Sequence, residues 1–309
     1  MPRVTVLALP GGMASALAIT LDTLETANRL GSRAGRAAPF EVRRVKAGAA
    51  TAPRLGRGDL LILPGLGTPT EEELVRRLAT PAVRRAGALA AQALQDGASL
   101  AAACASTFIL AEAGLLDGRR ATTTWWFAPL FRRRYPAVQL EPERIVVPDW
   151  PVATAGAAMA QMDLMLAVVA KFASPGLSEA CARYLLLDQR RSQAPYMALG
   201  FLAAQDPHIA RAEAWARAHI ERDFAMDELA AAAGLSPRTF ARRLAATCGL
   251  SPVRFAQRIR LETADHLLET TRLPVDEVAR RVGYAEPSTL RRLIRREARR
   301  SPAELRRAG

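Results

Sequence analysis

Histidine is scarce in this 309-residue chain: only His208, His219 and His266 occur, and residues 1–207 hold none. That absence excludes an imidazole base, and with it a Cys–His hydrolase dyad, from the first two thirds of the sequence. Cysteine is equally sparse. Cys104, Cys181 and Cys248 stand far apart with no CxxC, so no disulfide framework is expected and a reducing cytoplasm suits the chain. No apolar run reaches the roughly 18 residues that a membrane span requires. The opening RVTVLALPGGMASALA has the hydrophobicity of a signal peptide, but Pro10-Gly11-Gly12 interrupts it, and a buried strand followed by a turn is the better reading. There is no P-loop, no GxGxxG between a strand and a helix, and no clustered metal-ligand set in the front part. Neither a cofactor nor a metal is expected.

What is present is a net charge of +13, which invites a polyanionic partner. The charge does not locate that partner. Residues 207–309 carry 20 arginines against 13 acids, close to half of the excess. Only Lys46 and Lys171 among the 43 basic residues are lysine, a skew that coding bias alone would produce. The length suggests two domains. Over residues 1–170, apolar runs at Val4–Leu9, Phe40–Val45, Leu60–Leu63, Ser99–Ala103 and Ile145–Val147 alternate with helical patterns at Ala14–Leu30, Glu71–Gln95, Thr107–Leu115, Ala128–Arg134 and Gly156–Ala170. Continuous apolar strands alternating with helices predict an α/β fold, a three-layer sandwich around a parallel sheet. The front domain is assigned to 1–188, a polar, helix-breaking connection to 189–207, and an all-α module to 208–309.

That last module contains an internal repeat. MDELAAAAG at 226–234 returns as VDEVARRVG at 275–283, and PRTFARRL at 237–244 returns as PSTLRRLI at 287–294. Each copy then closes on Ser-Pro, at 251–252 and 301–302. Both copies spell a short helix, a glycine, a tight turn and a second helix, which is the grammar of a helix-turn-helix. Phe240 and Leu244 share one face of the first copy's second helix and Arg238 and Arg242 the other, with Thr239 beside them. In the second copy Ser288, Thr289, Arg291 and Arg292 face outward. Arginines on such a helix can donate in pairs to guanine edges in the major groove, so these seven residues are the candidate DNA contacts. The stretch 252–270 reads as one long helix able to set the two reading helices on successive groove turns, roughly 34 Å apart.

The segments LSPRTFARRL, GLSPVRFAQRIRLETADHLL and PVDEVARRVGYAEPSTLRRL resemble the AraC/XylS-type DNA-binding domain over about 226–306. The second copy departs from that pattern, with Leu290 and Ile294 at aromatic positions and Arg299 where a glycine is expected. In the front part, Cys104 closes an apolar strand and precedes a helix, the placement of a nucleophile elbow whose helix N-terminus favours a thiolate. The surrounding LAAACASTFILAEAGLLDGRRATTTWW resembles the PfpI-like, class I glutamine amidotransferase-like fold, a flavodoxin-like architecture. Together the two matches resemble the GlxA subgroup of AraC-type regulators. The resemblance implies that Glu25 faces Cys104, and makes Glu25, Cys104, Gly65, Thr124 and Trp125 candidates for an effector pocket. Thr124 stands where the family holds histidine, and Ser106 where a glycine is expected, so no catalytic residue is assigned. The implied protein is a cytoplasmic, homodimeric transcription regulator that is not an enzyme. Its expected partners are double-stranded DNA, a small effector such as an amine or amino-acid derivative, and RNA polymerase. The competing reading is a cysteine hydrolase or glyoxalase-like enzyme with an appended DNA-binding module, and a charge-driven, non-specific DNA binder is a third.

Overall fold

Short runs of almost purely apolar residues become the centre of a sheet, because both of their faces are covered by helices. In the computed structural model, which describes residues 1–33, 37–47, 54–188, 190, 192, 193 and 196–297, the chain divides into two compact units, Met1–Ala194 and Pro195–Gly309.

The first unit carries strands β1 (Arg3–Ala8), β2 (Glu41–Lys46), β3 (Leu60–Leu66), β4 (Ser99–Cys104), β5 (Arg120–Ala121), β6 (Gln139–Leu140), β7 (Val146–Asp149) and β8 (Val152–Ala155). Its helices are α1 (Ala14–Arg33), α2 (Glu71–Leu78), α3 (Pro81–Gln95), α4 (Thr107–Glu112), α5 (Ala128–Arg134), α6 (Ala160–Phe172) and α7 (Pro175–Tyr184). The main sheet runs β2-β1-β3-β4-β8-β7. All neighbours are parallel except β7, which lies antiparallel to β8. The first five strands follow the flavodoxin-like order. Side chains alternate as a pleat requires. Leu60 and Ile62 join Ala101 and Ala103 under α1, α6 and α7, while Leu61 and Leu63 join Leu100 and Ala102 under α2, α3, α4 and α5. Phe108 of α4 and Phe131 of α5 meet edge to face at 4.8 Å in the second layer, a geometry that adds to area burial.

Three local expectations are corrected. The single helix expected over 71–95 is two, because Pro81 lacks an N–H and opens α3 at its first turn. Thr70 caps α2, its hydroxyl accepting from Glu73 N at 3.2 Å. Strand β8 was not foreseen; its Val-Ala-Thr-Ala is short and made mostly of small residues, yet all four residues are buried. The expected connection at 189–207 is partly built in: Gln193 is buried in the first unit, and Leu199–Ala203 forms helix α8 with three buried side chains. Within that stretch Gln193, Leu199 and Leu202 find buried surroundings.

The second unit continues with α9 (Pro207–Ala218), α10 (Met226–Ala232), α11 (Pro237–Cys248), α12 (Pro252–Thr270), α13 (Val275–Arg281) and α14 (Pro287–Glu297). α9 packs on α8, α10, α11 and α12, and α12 in turn holds α13 and α14. Leu229, Ala230 and Ala233 are buried at the positions that Val278, Ala279 and Val282 occupy one repeat later. Phe240 and Leu244 correspond in the same way to Leu290 and Ile294, all of them at most 1% exposed. Loss of the aromatics in the second copy therefore leaves its packing closed. Arg299 and the second Ser-Pro lie outside the described residues. Among the described residues no helix is long and apolar enough to cross a membrane.

The repeat glycines are required by backbone geometry. Gly234 and Gly283 take φ of +69° and +77°, open to glycine and strained for other residues. A Cβ on Gly283 would also lie 2.5 Å from the Ile220 carbonyl oxygen and 3.1 Å from that of Arg222. Around Gly234 the nearest atom would be a flexible arginine tip at 3.4 Å. In urea denaturation of the full chain, Gly283→Ala is expected to destabilise the second unit by about 2–4 kcal/mol and Gly234→Ala by about 1 kcal/mol; equal effects would contradict this packing.

Candidate nucleic-acid interface and a buried thiol

The reading face of the first copy starts from its cap. Ser236 precedes α11 with extended backbone, its hydroxyl accepts from Thr239 N, and Pro237 fills the first turn. Ser236 Oγ also donates to Thr239 Oγ1 at 3.0 Å, so Thr239 is half-buried and tied to the cap. With Phe240 and Leu244 turned inward, Arg238 and Arg242 are exposed one helical turn apart. Neither forms an ion pair or hydrogen bond among the described residues. Arg243, on the flank, is instead held by Asp206 at 3.0 Å.

On α14, Ser288, Arg291 and Arg292 are exposed and Thr289 is half-buried, its N–H donating to Glu286 O at 3.0 Å. Leu293 is buried where the first copy has Arg243. Arg291 is engaged by Asp276 of α13 at 2.7 Å, an exposed pair of small stabilising value that still biases where the guanidinium points. Arg295 is exposed too. It was not singled out from sequence, although its spacing of three and four residues from Arg292 and Arg291 is the signal that places it on their face.

The two copies share α12, 19 residues and about 28 Å long at 1.5 Å per residue. Arg260, at its middle, is 9% exposed. It donates to Arg222 O and to Asp223 Oδ1, each at 3.2 Å. Its guanidinium also lies 5.0 Å from the Phe224 ring centre and 5.3 Å from that of Tyr284. The α9–α10 connection and the second turn are thereby gripped by one side chain. Further along α12, Asp265 is pushed up to about 6 from an ordinary 3.8, first by burial and then by Glu269 and Glu262, with Arg258 opposing. One of its carboxyl oxygens is buried without a hydrogen bond.

In the first unit, Cys104 has φ of +54°, a strained conformation for a residue with a side chain and the one a nucleophile elbow uses. Its N–H donates to Gly156 O at 2.8 Å, and its carbonyl accepts from Thr107 Oγ1 at 2.7 Å. Gly65 permits the close approach of β3: a Cβ there would sit 3.3 Å from Cys104 Cβ and 3.5 Å from Ala16 Cβ. The thiol is 4% exposed. Burial drives its pKa up to about 11, only partly opposed by the Ala105 N–H and the Thr124 hydroxyl. Cys104 is therefore a buried thiol and not the thiolate that a helix N-terminus would favour, because desolvation outweighs the short helix behind it. Thr124 is fully buried beside it.

Glu25 does not face the cysteine. It is exposed on α1, between buried Leu24 and Thr26, and the α1 residue beside Gly65 is Ala16. Leu24 packs in the other layer of the sheet, with Val4, Val6 and Leu60. Trp125 is half-buried and edge-on to Trp126 at 5.3 Å. Gly65, Cys104 and Thr124 are thus brought together, Trp125 follows in the chain, and Glu25 is excluded. A groove of about 520 Å³, bordered by Val75, Val83, Gly87, Ile109 and Glu112, contains none of the five candidates.

Two outcomes follow from these environments. At pH 8 the native Cys104 thiol is expected to react with iodoacetamide at least about 100-fold more slowly than free cysteine, since so little is ionised; peptide mapping of the alkylated chain measures this. For Asp265, a folded-state value above the unfolded one means that stability is full at acid pH and drains as pH rises through about 6. Asp265→Asn should raise the melting temperature by a few degrees at pH 7.5, and the gain should shrink as pH falls toward 4.

Residues 229–308 match the model described as Helix-turn-helix domain, and residues 53–171 match the DJ-1/PfpI family. The chain is 27% identical over 213 residues to the HTH-type transcriptional regulator CdhR of Pseudomonas aeruginosa, covering 68% of this chain and 63% of that one. It is 28% identical over 203 residues to the HTH-type transcriptional regulator GlxA of Rhizobium meliloti, covering 65% and 62%. The matched part thus spans less than two thirds of either relative. A solved structure of the DNA-binding domain of AdpA, a global transcriptional factor in complex with a target DNA, is 42% identical, covering 33% of this chain and 92% of that one with a TM-score of 0.31. The chain joins a DJ-1/PfpI domain to an AraC-type helix-turn-helix domain, and its homologues are HTH transcriptional regulators of the GlxA and CdhR kind.

Proposed function

We propose that this protein is a sequence-specific DNA-binding transcription regulator whose first unit is a sensing domain without catalytic activity. The observation that carries the reading is the pair of matching turns, each burying an apolar helix face and exposing an arginine face on the opposite side. Arg238 and Arg242 of α11 are the base-reading arginines, with Arg292 their counterpart on α14. Thr239, Ser288, Thr289 and Arg291 serve phosphate and edge contacts, and Arg291 is pre-aimed by Asp276. A cytoplasmic homodimer would present two such pairs of helices to a two-fold operator.

Three observations favour a sensor over a thiol hydrolase. Residues 1–207 lack histidine, the Cys104 thiol stays protonated at neutral pH, and Glu25 points into solvent. The strained backbone at Cys104 is the one feature that favours the hydrolase reading, and that reading requires turnover which Cys104→Ala abolishes.

Selection of operator sequences from a random pool, followed by mobility shift at fixed salt, tests the assignment. Arg242→Ala is expected to relax preference at one base position and to cost about 1–3 kcal/mol on the selected site. Arg291→Ala should weaken all sequences alike, as a phosphate contact does. If Arg238→Ala and Arg242→Ala both preserve the wild-type preference, α11 is not the reading helix.

A further inference from the structure

The elbow around Cys104 offers a small molecule little room. Its thiol is 4% exposed, and the loop after β1 is stitched to the end of β3. Met13 N donates to Gly65 O at 2.9 Å and Gly67 N to Gly11 O at 3.2 Å, while Arg77 of α2 donates to Gly11 O at 2.8 Å. The open concavity of the first unit is instead the groove of about 520 Å³ bordered by α2, α3 and α4. Almost fully buried Leu78, Val83 and Ile109 form its floor, with Val75 of α2 and Ala88 of α3 exposed at its edges. Gly87 keeps α3 and α4 close: a Cβ there would meet Ala113 Cβ and the Ile109 carbonyl oxygen, each at 3.6 Å. An apolar trough of this size, with a few polar groups at its margin, has the make-up of a small-ligand site.

The charged margin is asymmetric. Glu112 Oε1 accepts from Tyr135 Oη at 2.6 Å and from the Arg134 guanidinium, so that Arg134 and Glu112 occupy each other. Arg84, the second cation bordering the groove, is exposed, and its guanidinium has no partner among the described residues. Burial would raise the Glu112 carboxyl, yet the Tyr135 hydroxyl, Arg134 and the nearby Arg84 charge together hold it below the ordinary range. Two guanidinium groups thus face one carboxylate, and Arg84 is the donor left over. It lies four residues before Ala88 and seven before Ala91, on the same face of α3 as the trough. A protein partner fits this place poorly. Val75 is the one large apolar side chain well exposed on α2 or α3, whereas a stable protein interface buries about 800 Å² per partner.

We propose that this groove is the ligand site of the first unit and takes a small carboxylate with an apolar aryl or branched-alkyl body. The body lies over Leu78, Val83 and Ile109, and the carboxylate accepts from Arg84. The inference rests on reading the first unit as a sensor.

Full-length protein is titrated calorimetrically at low ionic strength with phenylacetate, phenylacetamide and benzylamine, which share a benzyl body and differ in the charge of the end group. Phenylacetate is expected to bind about fivefold or more tightly than its neutral amide, with benzylamine weakest. Arg84→Gln should remove that preference and leave the amide's affinity unchanged. Ala88→Phe, which sets a ring in the groove, should weaken phenylacetate about tenfold or more. No saturable heat below about 10 mM, a preference for benzylamine, or phenylacetate binding that both variants leave unchanged overturns the proposal. If Ala88→Phe does not fold, Arg84→Gln decides alone, since its exposed side chain has no partner to lose. Light scattering compares the mass of the wild type and Ala88→Phe; a lower mass for the variant places a second copy in the groove and overturns the ligand proposal. Operator binding by the ligand-free wild type is measured separately. Its absence would sink the regulator reading itself, whereas calorimetric failure with operator binding intact sinks only the groove.

Discussion

Everything the second unit can do depends on the grip that Arg260 exerts from the middle of α12. Two small helix-turn-helix units, each burying only a few aliphatic side chains, would drift relative to each other if a flexible connection joined them. Here the connection is a helix whose central arginine is desolvated and held by a carbonyl, a carboxylate and two aromatic faces. These contacts offset much of the cost of burying a guanidinium, although its Nε is buried without a hydrogen bond. The close contact of Gly283 with the Ile220 and Arg222 carbonyls serves the same end from the other side. The spacing of the two arginine faces is thus a property of one packed junction rather than of chain length.

The first unit keeps the backbone geometry of an elbow around a deeply buried sulfur. Cys104 retains a positive φ, and Gly65 lets β3 approach it closely. Yet burial holds the sulfur protonated, and the α1 residue beside Gly65 is Ala16, which carries no ionisable group.

The helical module was legible because its signals are local. Ser-Pro caps, glycines at the turns and apolar spacing of three and four residues act within a few residues of one another, and they recur with a period close to 50. The long apolar strands were legible for the same reason. Strand β8 was not, since its Val-Ala-Thr-Ala has neither length nor alternation and is defined by its neighbours β4 and β7. Glu25 was misplaced because a short motif match names a residue but not its place in space: the α1 residue beside Gly65 is Ala16, nine positions earlier, and Glu25 is exposed.

The sequence by itself determined the two-part architecture, the repeated turn and the outward arginines, because these follow from periodicity and backbone chemistry within single elements. Only the tertiary structure decided that Cys104 is a protonated, buried thiol, that Glu25 is outside, that Arg291 is held by Asp276, and that Gln193 fills a crevice 70 residues from its Thr123 partner. Each of those depends on desolvation or on contacts between residues distant in the chain, quantities that no local pattern encodes.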